Sequence, residues 1–222
     1  MRQLYLFFEN QKWSPLGTKL SVSHIRELFC LKDVNEINYY AMICEKENIS
    51  RDKLKQKIKS QEYERLSEST KTKLISNEQP LLPDLVKNPI LIKNTNKYTE
   101  ISEKVLQQII LEDIKNYMQE LGTGFCFISN EYPIKIGNNY NYIDLLLFNY
   151  EYNCFIVVEL KTTKLKKEHI GQIEVYMNYI DKNLKKSNQD KTIGIIICKK
   201  DNEYIIEYCS DKRIIARNYE LI

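Results

Sequence analysis

Asp144, Glu159 and Lys161 are charged residues set inside apolar runs, the first in "YIDLLLF" and the other two in "CFIVVELK". A strand interior tolerates a charge only where something pairs it, because burying an unpaired carboxylate is costly. If the runs are antiparallel strands joined by a two-residue turn at Glu151–Tyr152, Asp144 falls opposite Glu159. Directly opposed Cα atoms in such a ladder lie about 4.5–5.5 Å apart. Side chains alternate faces, so Glu159 and Lys161 share one face while Leu160 turns away. Two carboxylates so close repel unless a cation intervenes, and an open, oxygen-rich site suits Mg²⁺ or Mn²⁺. A cation there would polarise a phosphodiester and make a water more acidic, with Lys161 steadying the charge that develops on phosphorus. The plainer alternative is a satisfied Glu–Lys pair at a strand end, with Asp144 opening a solvated edge. Ile143, Leu145, Leu146, Val157, Val158 and Leu160 weigh against it, since strands flanked this way read as internal.

Downstream, Gln172 and Tyr176 stand four residues apart, hence on one face of a helix. Gln can meet a base, a phosphate or a water, and Tyr can hydrogen-bond a phosphate; ordinary helix surface is the competing reading. Lys164, Lys166 and Lys167 lie between the hairpin and this helix. They could touch a nucleic-acid backbone, though a run of lysines is commonly just a solvated face.

The elements that must position these residues follow from pattern. In the front half, Ser23 is a candidate N-cap before Ile25, Leu28 and Phe29. Ile37, Tyr40, Ala41 and Cys44 fall on one helical stripe. Ser50 opens a third helix, with Ile49 and Leu54 at the spacing of a hydrophobic staple. Residues 77–97 hold three prolines and little periodicity, so they read as a linker between a helical region at 1–76 and a second domain at 98–222. That domain begins with a helix from about Glu100 to Leu121, stopped by Gly122 and Gly124. Strands follow at 124–136, 142–148 and 154–161, a helix at 167–184, and strands at 192–199 and 204–209. The order α-β-β-β-α-β-β is that of an α/β domain.

Composition narrows the chemistry. Residues 1–97 carry 17 Lys and Arg against 12 Asp and Glu, and residues 98–222 carry 16 against 18. A basic front half before a slightly acidic back half suits nucleic-acid contact followed by a cation site. Six scattered cysteines with no CxxC pair read as free thiols, and two histidines, His24 and His169, give little basis for zinc or a Ser-His-Asp triad. The start lacks a signal peptide's features and no window reaches the length of a membrane span, so a cytoplasmic protein with no membrane partner is expected.

Asp144, Glu159-Leu160-Lys161 and Gln172-x-x-x-Tyr176 on this frame resemble the PD-(D/E)xK nuclease superfamily, the last pair its QxxxY element. "ELGTGFCF", "YIDLLLF", "VVELK", "HIGQIEVYMNYID" and "IGIIICK" are similar to its YhcG-type family, as are "MRQLYLFF", "LSVSHIRELF" and "YERLSES" to that family's N-terminal domain. The resemblance implies a restriction-endonuclease-like α/β core preceded by a small, all-α, winged-helix-like domain that binds DNA or a protein partner. It implies Mg²⁺-dependent cleavage of DNA. Asp144, Glu159 and the Leu160 carbonyl would hold the metal, Lys161 would be the catalytic lysine, and Gln172 and Tyr176 would complete the site. Ile143 replaces the proline of the nominal motif. The family pattern also implies that Met1 falls inside the N-terminal domain and that the enzyme pairs as a homodimer. A further Glu on the first helix of the nuclease domain is implied too, and the helical wheel favours Glu103 over Glu112, with Glu120 intermediate.

Two other functions compete: a DNA-binding or assembly module whose nuclease fold does not cut, and a glycosidase using the paired acids. Opposed carboxylates at about 5 Å would suit a retaining glycosidase, but the adjacent lysine has no part there, and the lone Trp13 is far away in sequence.

Overall fold

The computed structural model describes residues 20–76, 78, 80–200, 206 and 209–222. The chain divides into two compact units, Met1–Arg65 with Lys71–Glu78, and Leu66–Thr70 with Gln79–Ile222.

The described residues of the first unit are helical: α1 (Val22–Leu28), α2 (Val34–Glu47) and α3 (Arg51–Lys59), with α4 (Glu68–Ile75) crossing the division. Ser21, not Ser23, caps α1. Its Oγ accepts from the His24 N–H, and its own N–H donates to His24 Nδ1, so a histidine fills the position where a capping box usually has Glu or Gln. That leaves the other ring nitrogen of His24 to meet the Ile49 carbonyl at 3.0 Å. Ser50 caps α3 as its sequence requires, and Ile37, Tyr40, Ala41, Cys44, Ile49 and Leu54 are buried.

The second unit is a six-stranded sheet between helices. After the short α5 (Leu82–Leu85) come β1 (Ile90–Ile92), α6 (Glu103–Glu112), α7 (Ile114–Leu121), β2 (Phe125–Ile136), β3 (Asn139–Asn149) and β4 (Cys154–Lys164). Then follow α8 (Lys167–Asn183), β5 (Asp190–Lys200) and β6 (Ile214–Leu221). The strand order is β1-β6-β5-β4-β3-β2, antiparallel across β2, β3 and β4 and parallel from β4 to β1. Alternation along β3 and β4 divides the core. Leu145, Leu147, Ile156, Val158 and Leu160 meet Leu106, Ile110 and Leu121, whereas Leu146 and Val157 meet Ile173, Met177 and Ile180 of α8. Gly194 admits α8 closely: a Cβ there would lie 2.5 Å from Met177 Sδ.

Three features depart from the sequence reading. Residues 77–97, read as a linker, contain α5 and β1; a four-residue helix and a three-residue edge strand are too short to leave a periodic signal. The helix expected from Glu100 to Leu121 is two, because Asp113 leaves helical geometry (φ −133°, ψ 46°) and accepts from the Asn116 side chain. β6 was not anticipated, since Arg217 and Asn218 break its apolar run. Arg217 is satisfied there by the carbonyls of Val86 and Pro83, at 2.7 and 2.9 Å. The strand expected at 204–209 falls almost wholly outside the described residues, as does "MRQLYLFF". Cys44, Cys154 and Cys198 are buried, Cys30 and Cys126 are exposed, and no disulfide joins any of the six.

Candidate active site

The register of β3 and β4 runs from Asn149↔Cys154 to Leu145↔Val158, so the next positions outward are Asp144 and Glu159, as the hairpin reading required. The turn that sets it is four residues, Tyr150–Asn153, rather than two. Asn149 holds that turn: its side-chain oxygen accepts from the N–H groups of Glu151 and Tyr152, and its amide donates to the Thr123 carbonyl.

Regular pairing of β3 with β4 stops at Leu145↔Val158, while β4 continues beside β5 through Lys161↔Cys198. The two strands therefore fork, and the charged residues occupy the fork. The Leu160 N–H donates to Asp144 Oδ2 at 2.7 Å, bridging the gap. In a strand, the N–H and C=O of one residue point to the same edge, so the Leu160 carbonyl also opens into the fork. Gln107, buried on α6, donates to the Asp144 carbonyl at 2.9 Å and fixes this end of β3 from the helix side.

Glu159 is 1% exposed. Its Oε2 lies 3.3 Å from Lys161 Nζ, and its Oε1 is a buried oxygen with no hydrogen-bond partner. Lys161 Nζ also lies 3.7 Å from Glu103 Oε2 at the first turn of α6. Burial, then the Asp144 charge, push the Glu159 carboxyl up to about 8, against the pull of Lys161. Burial raises Asp144 as well, with Glu103 and Glu131 adding to the rise and the Leu160 N–H and Lys161 opposing it. Burial works to lower Lys161, but Glu159, Glu103 and Asp144 outweigh it and hold the ammonium charged.

Among the sequence candidates, the fork brings together Asp144, Glu159, Leu160, Lys161 and Glu103. Glu112 is elsewhere, bonded to Asn96, Tyr98 and Gln108, and Glu120 accepts from the Leu91 N–H beside Lys87. Gln172 and Tyr176 share a face of α8 and bond each other at 3.1 Å, with Tyr176 buried in the core beneath. No hydrogen bond between that pair and the fork carboxylates is present among the described residues. Three neighbours escaped the sequence reading. Gln107 is one. His169 is another; burial and the charges of Lys161 and Lys166 lower its pKa. The third is Glu131, bracketed by the pairs Asn130↔Leu145 and Tyr132↔Ile143 and so opposite Asp144. Its φ of +46° is unusual for a residue in a strand. The Gly137–Asn138 turn carried a signal for it: a two-residue hairpin loop fixes the β2–β3 register and with it the position of Glu131.

An orphaned buried carboxylate oxygen, a second carboxylate and a carbonyl facing one fork fit a hard divalent cation. No three His, Cys, Asp or Glu side chains converge as a ready-made metal cluster among the described residues. The fit therefore rests on Asp144, Glu159 and the Leu160 carbonyl.

Residues 83–222 match the model of the YhcG PDDEXK nuclease domain, and residues 1–65 that of the DUF1016 N-terminal domain. The chain belongs to the YhcG PDDEXK nuclease family. Its restriction-endonuclease-like sheet with flanking helices and its helical front region are those the resemblance implied. The YhcG protein of Escherichia coli (strain K12) is 26% identical to this family member over 199 residues, 84% of this chain and 52% of its own length. The chain thus spans about half of that curated relative. Among solved structures, a repair endonuclease from Pyrococcus abyssi is similar at 19% identity and a TM-score of 0.38, over 57% of this chain and 49% of that one. A complex of EndoMS with double-stranded DNA gives 16% and 0.37, over 57% and 48%. Among the described residues no helix is long and apolar enough to cross a membrane.

Proposed function

We propose that this protein is a divalent-metal-dependent endonuclease that hydrolyses phosphodiester bonds in DNA. The observation that carries the reading is the β3–β4 fork, where Glu159 keeps a buried, unpartnered oxygen beside Lys161 and across from Asp144. Asp144, Glu159 and the Leu160 carbonyl would hold Mg²⁺ or Mn²⁺, which supplies Lewis-acid polarisation of the phosphodiester and a more acidic water. Lys161, kept charged by its three acidic neighbours, orients the attacking water and stabilises the negative charge building on the phosphoryl oxygens. Asp144 is held in place by the Leu160 N–H and, through its backbone, by Gln107. Glu103 keeps Lys161 directed into the fork. Gln172, oriented by Tyr176, contacts a DNA phosphate or base at the near end of α8. The basic front half supplies affinity for DNA or for a protein partner, two protomers acting together would cut both strands, and the cytoplasm is where such a substrate is met.

The test is nicking of supercoiled plasmid with Mg²⁺, with Mn²⁺ and with EDTA. Nicking that needs the metal and disappears in both Asp144→Ala and Lys161→Ala supports the assignment. Undiminished nicking by either variant overturns it. DNA binding by a parent protein that never cuts would support the second reading, a binding module on a nuclease fold.

A further inference from the structure

Beyond the fork, β2 and β3 continue together for several residues, because β3 has parted from β4 while its pairing with β2 runs on to Ile136↔Asn139. This two-stranded arm has two unlike faces. One carries Ile134 and Ile143, both fully buried in the core beneath α8. On the other, strand alternation aligns Tyr140 and Tyr142, and β3 runs on from Tyr142 to Asp144 at the fork. Tyr140 and Tyr142 are 63% and 57% exposed, unusually open for rings of that size. Lys135, paired with Tyr140 across the ladder, sits with its Nζ 5.9 Å from the centre of that ring.

We propose that this face is a stacking platform for unpaired nucleotides and that it leads a single-stranded stretch of DNA to Asp144. The proposal rests on the endonuclease reading and deepens it by naming the substrate class. Tyr142 and Tyr140 lie two and four residues from Asp144, roughly 7 and 14 Å along the strand. Each step is about twice the ~3.4 Å rise between neighbouring bases of a duplex strand, so the spacing suits a stretched strand whose bases are free to lie on the rings. Stacking uses the π face that every base has and requires that face to be unpaired. Between Asn130 and Ile143 the arm has one basic and one acidic side chain, Lys135 and Glu131. It is therefore poorly equipped to grip a duplex through phosphates alone. A second copy of this chain adding a strand along β2 is a weaker occupant, because Pro133 removes a backbone donor from that edge and Glu131 and Lys135 charge it.

The experiment measures binding by fluorescence anisotropy in Ca²⁺, or in EDTA, so that cleavage does not intervene. The probes are a fluorescein-labelled mixed-sequence 15-mer and its blunt duplex. The proteins are the full chain, Tyr140→Ala/Tyr142→Ala and Tyr140→Phe/Tyr142→Phe, with melting curves confirming that all three are folded. Base stacking contributes about 1–3 kcal/mol per base, so the alanine pair should lose at least about tenfold in single-strand affinity. The phenylalanine pair should stay close to the parent, and the duplex should lose much less. Equal loss on both probes, or no loss on the single strand, overturns the platform. So does loss in the phenylalanine pair as large as in the alanine pair. A dimer of the parent that the alanine pair dissociates, with single-strand affinity unchanged, would give the face to a second copy instead. Because binding is read without turnover, failure of the endonuclease reading shows separately, as a parent that binds the 15-mer through the tyrosines yet never nicks plasmid.

Discussion

Replacing Glu159 by Gln should flatten the dependence of stability on pH. The side chain is buried, and its carboxyl is pushed up to about 8, against about 4.3 in an unfolded chain. A carboxyl raised on folding binds more protons in the native state than in the unfolded one. Its stabilising share is thus complete below about pH 4.3 and is lost as pH rises through about 8. Across one proton the slope is about 1.4 kcal/mol per pH unit, so the parent should lose up to about 3 kcal/mol between pH 5.5 and 7.5. For a chain of this size that corresponds to roughly 6–12 °C in Tm. Gln has nearly the same volume and still offers Lys161 an oxygen, but it does not titrate. Its curve should therefore be much flatter across the window. Asp144, raised in the same direction, accounts for the slope that remains, and Lys161, also raised, makes its change only at far higher pH. Differential scanning calorimetry in EDTA from pH 5 to 9 measures this. Parallel curves for parent and variant would refute the argument that burial raises the Glu159 carboxyl.

The same carboxyl must ionise to hold a cation, so Mn²⁺ binding below pH 8 should release about one proton. Calorimetric titration in buffers of different ionisation enthalpy would read that proton, and Glu159→Gln should remove it along with most of the affinity. Glu103→Gln removes one of three acids holding Lys161 charged, from a half-exposed position, and should reduce nicking by less than Lys161→Ala does; kinetics on plasmid would rank the two. Gly194→Ala places a methyl against Met177 and Ile173 and should cost about 1–3 kcal/mol, seen as a lower midpoint in urea with an unchanged slope.

The centre of the fold was legible because its signals are local and strong. Long apolar runs with a charge at a fixed offset specify β3 and β4, and their alternation fixes which side of the sheet Glu159 and Lys161 share. Ile49, Ser50 and Leu54 announced a helix start in the same way. What escaped depends on partners far along the chain. Arg217 looks foreign to a strand until the carbonyls of Val86 and Pro83 are brought to it. β1 is three residues that become a strand only beside β6. Asp113 ends a helix whose apolar spacing runs straight through it. In the fork, the acid–acid–lysine set was visible from spacing, whereas Glu131 and Gln107 depend on the β2 register and on where α6 packs.

Asn149 lies at the far end of the hairpin from the fork, yet its bonds to Glu151, Tyr152 and Thr123 set the count by which Asp144 meets Glu159. The two ends of β3 should consequently differ in what lengths of sequence they accept. One residue added to each strand beside the Gly137–Asn138 tip would lengthen the arm and leave Glu131 and Glu159 opposite Asp144. A residue gained or lost at Tyr150–Asn153 would put the two acids out of step while leaving every one of them in the sequence. Among natural variants and engineered insertions, the Tyr150–Asn153 turn should prove the more constant in length.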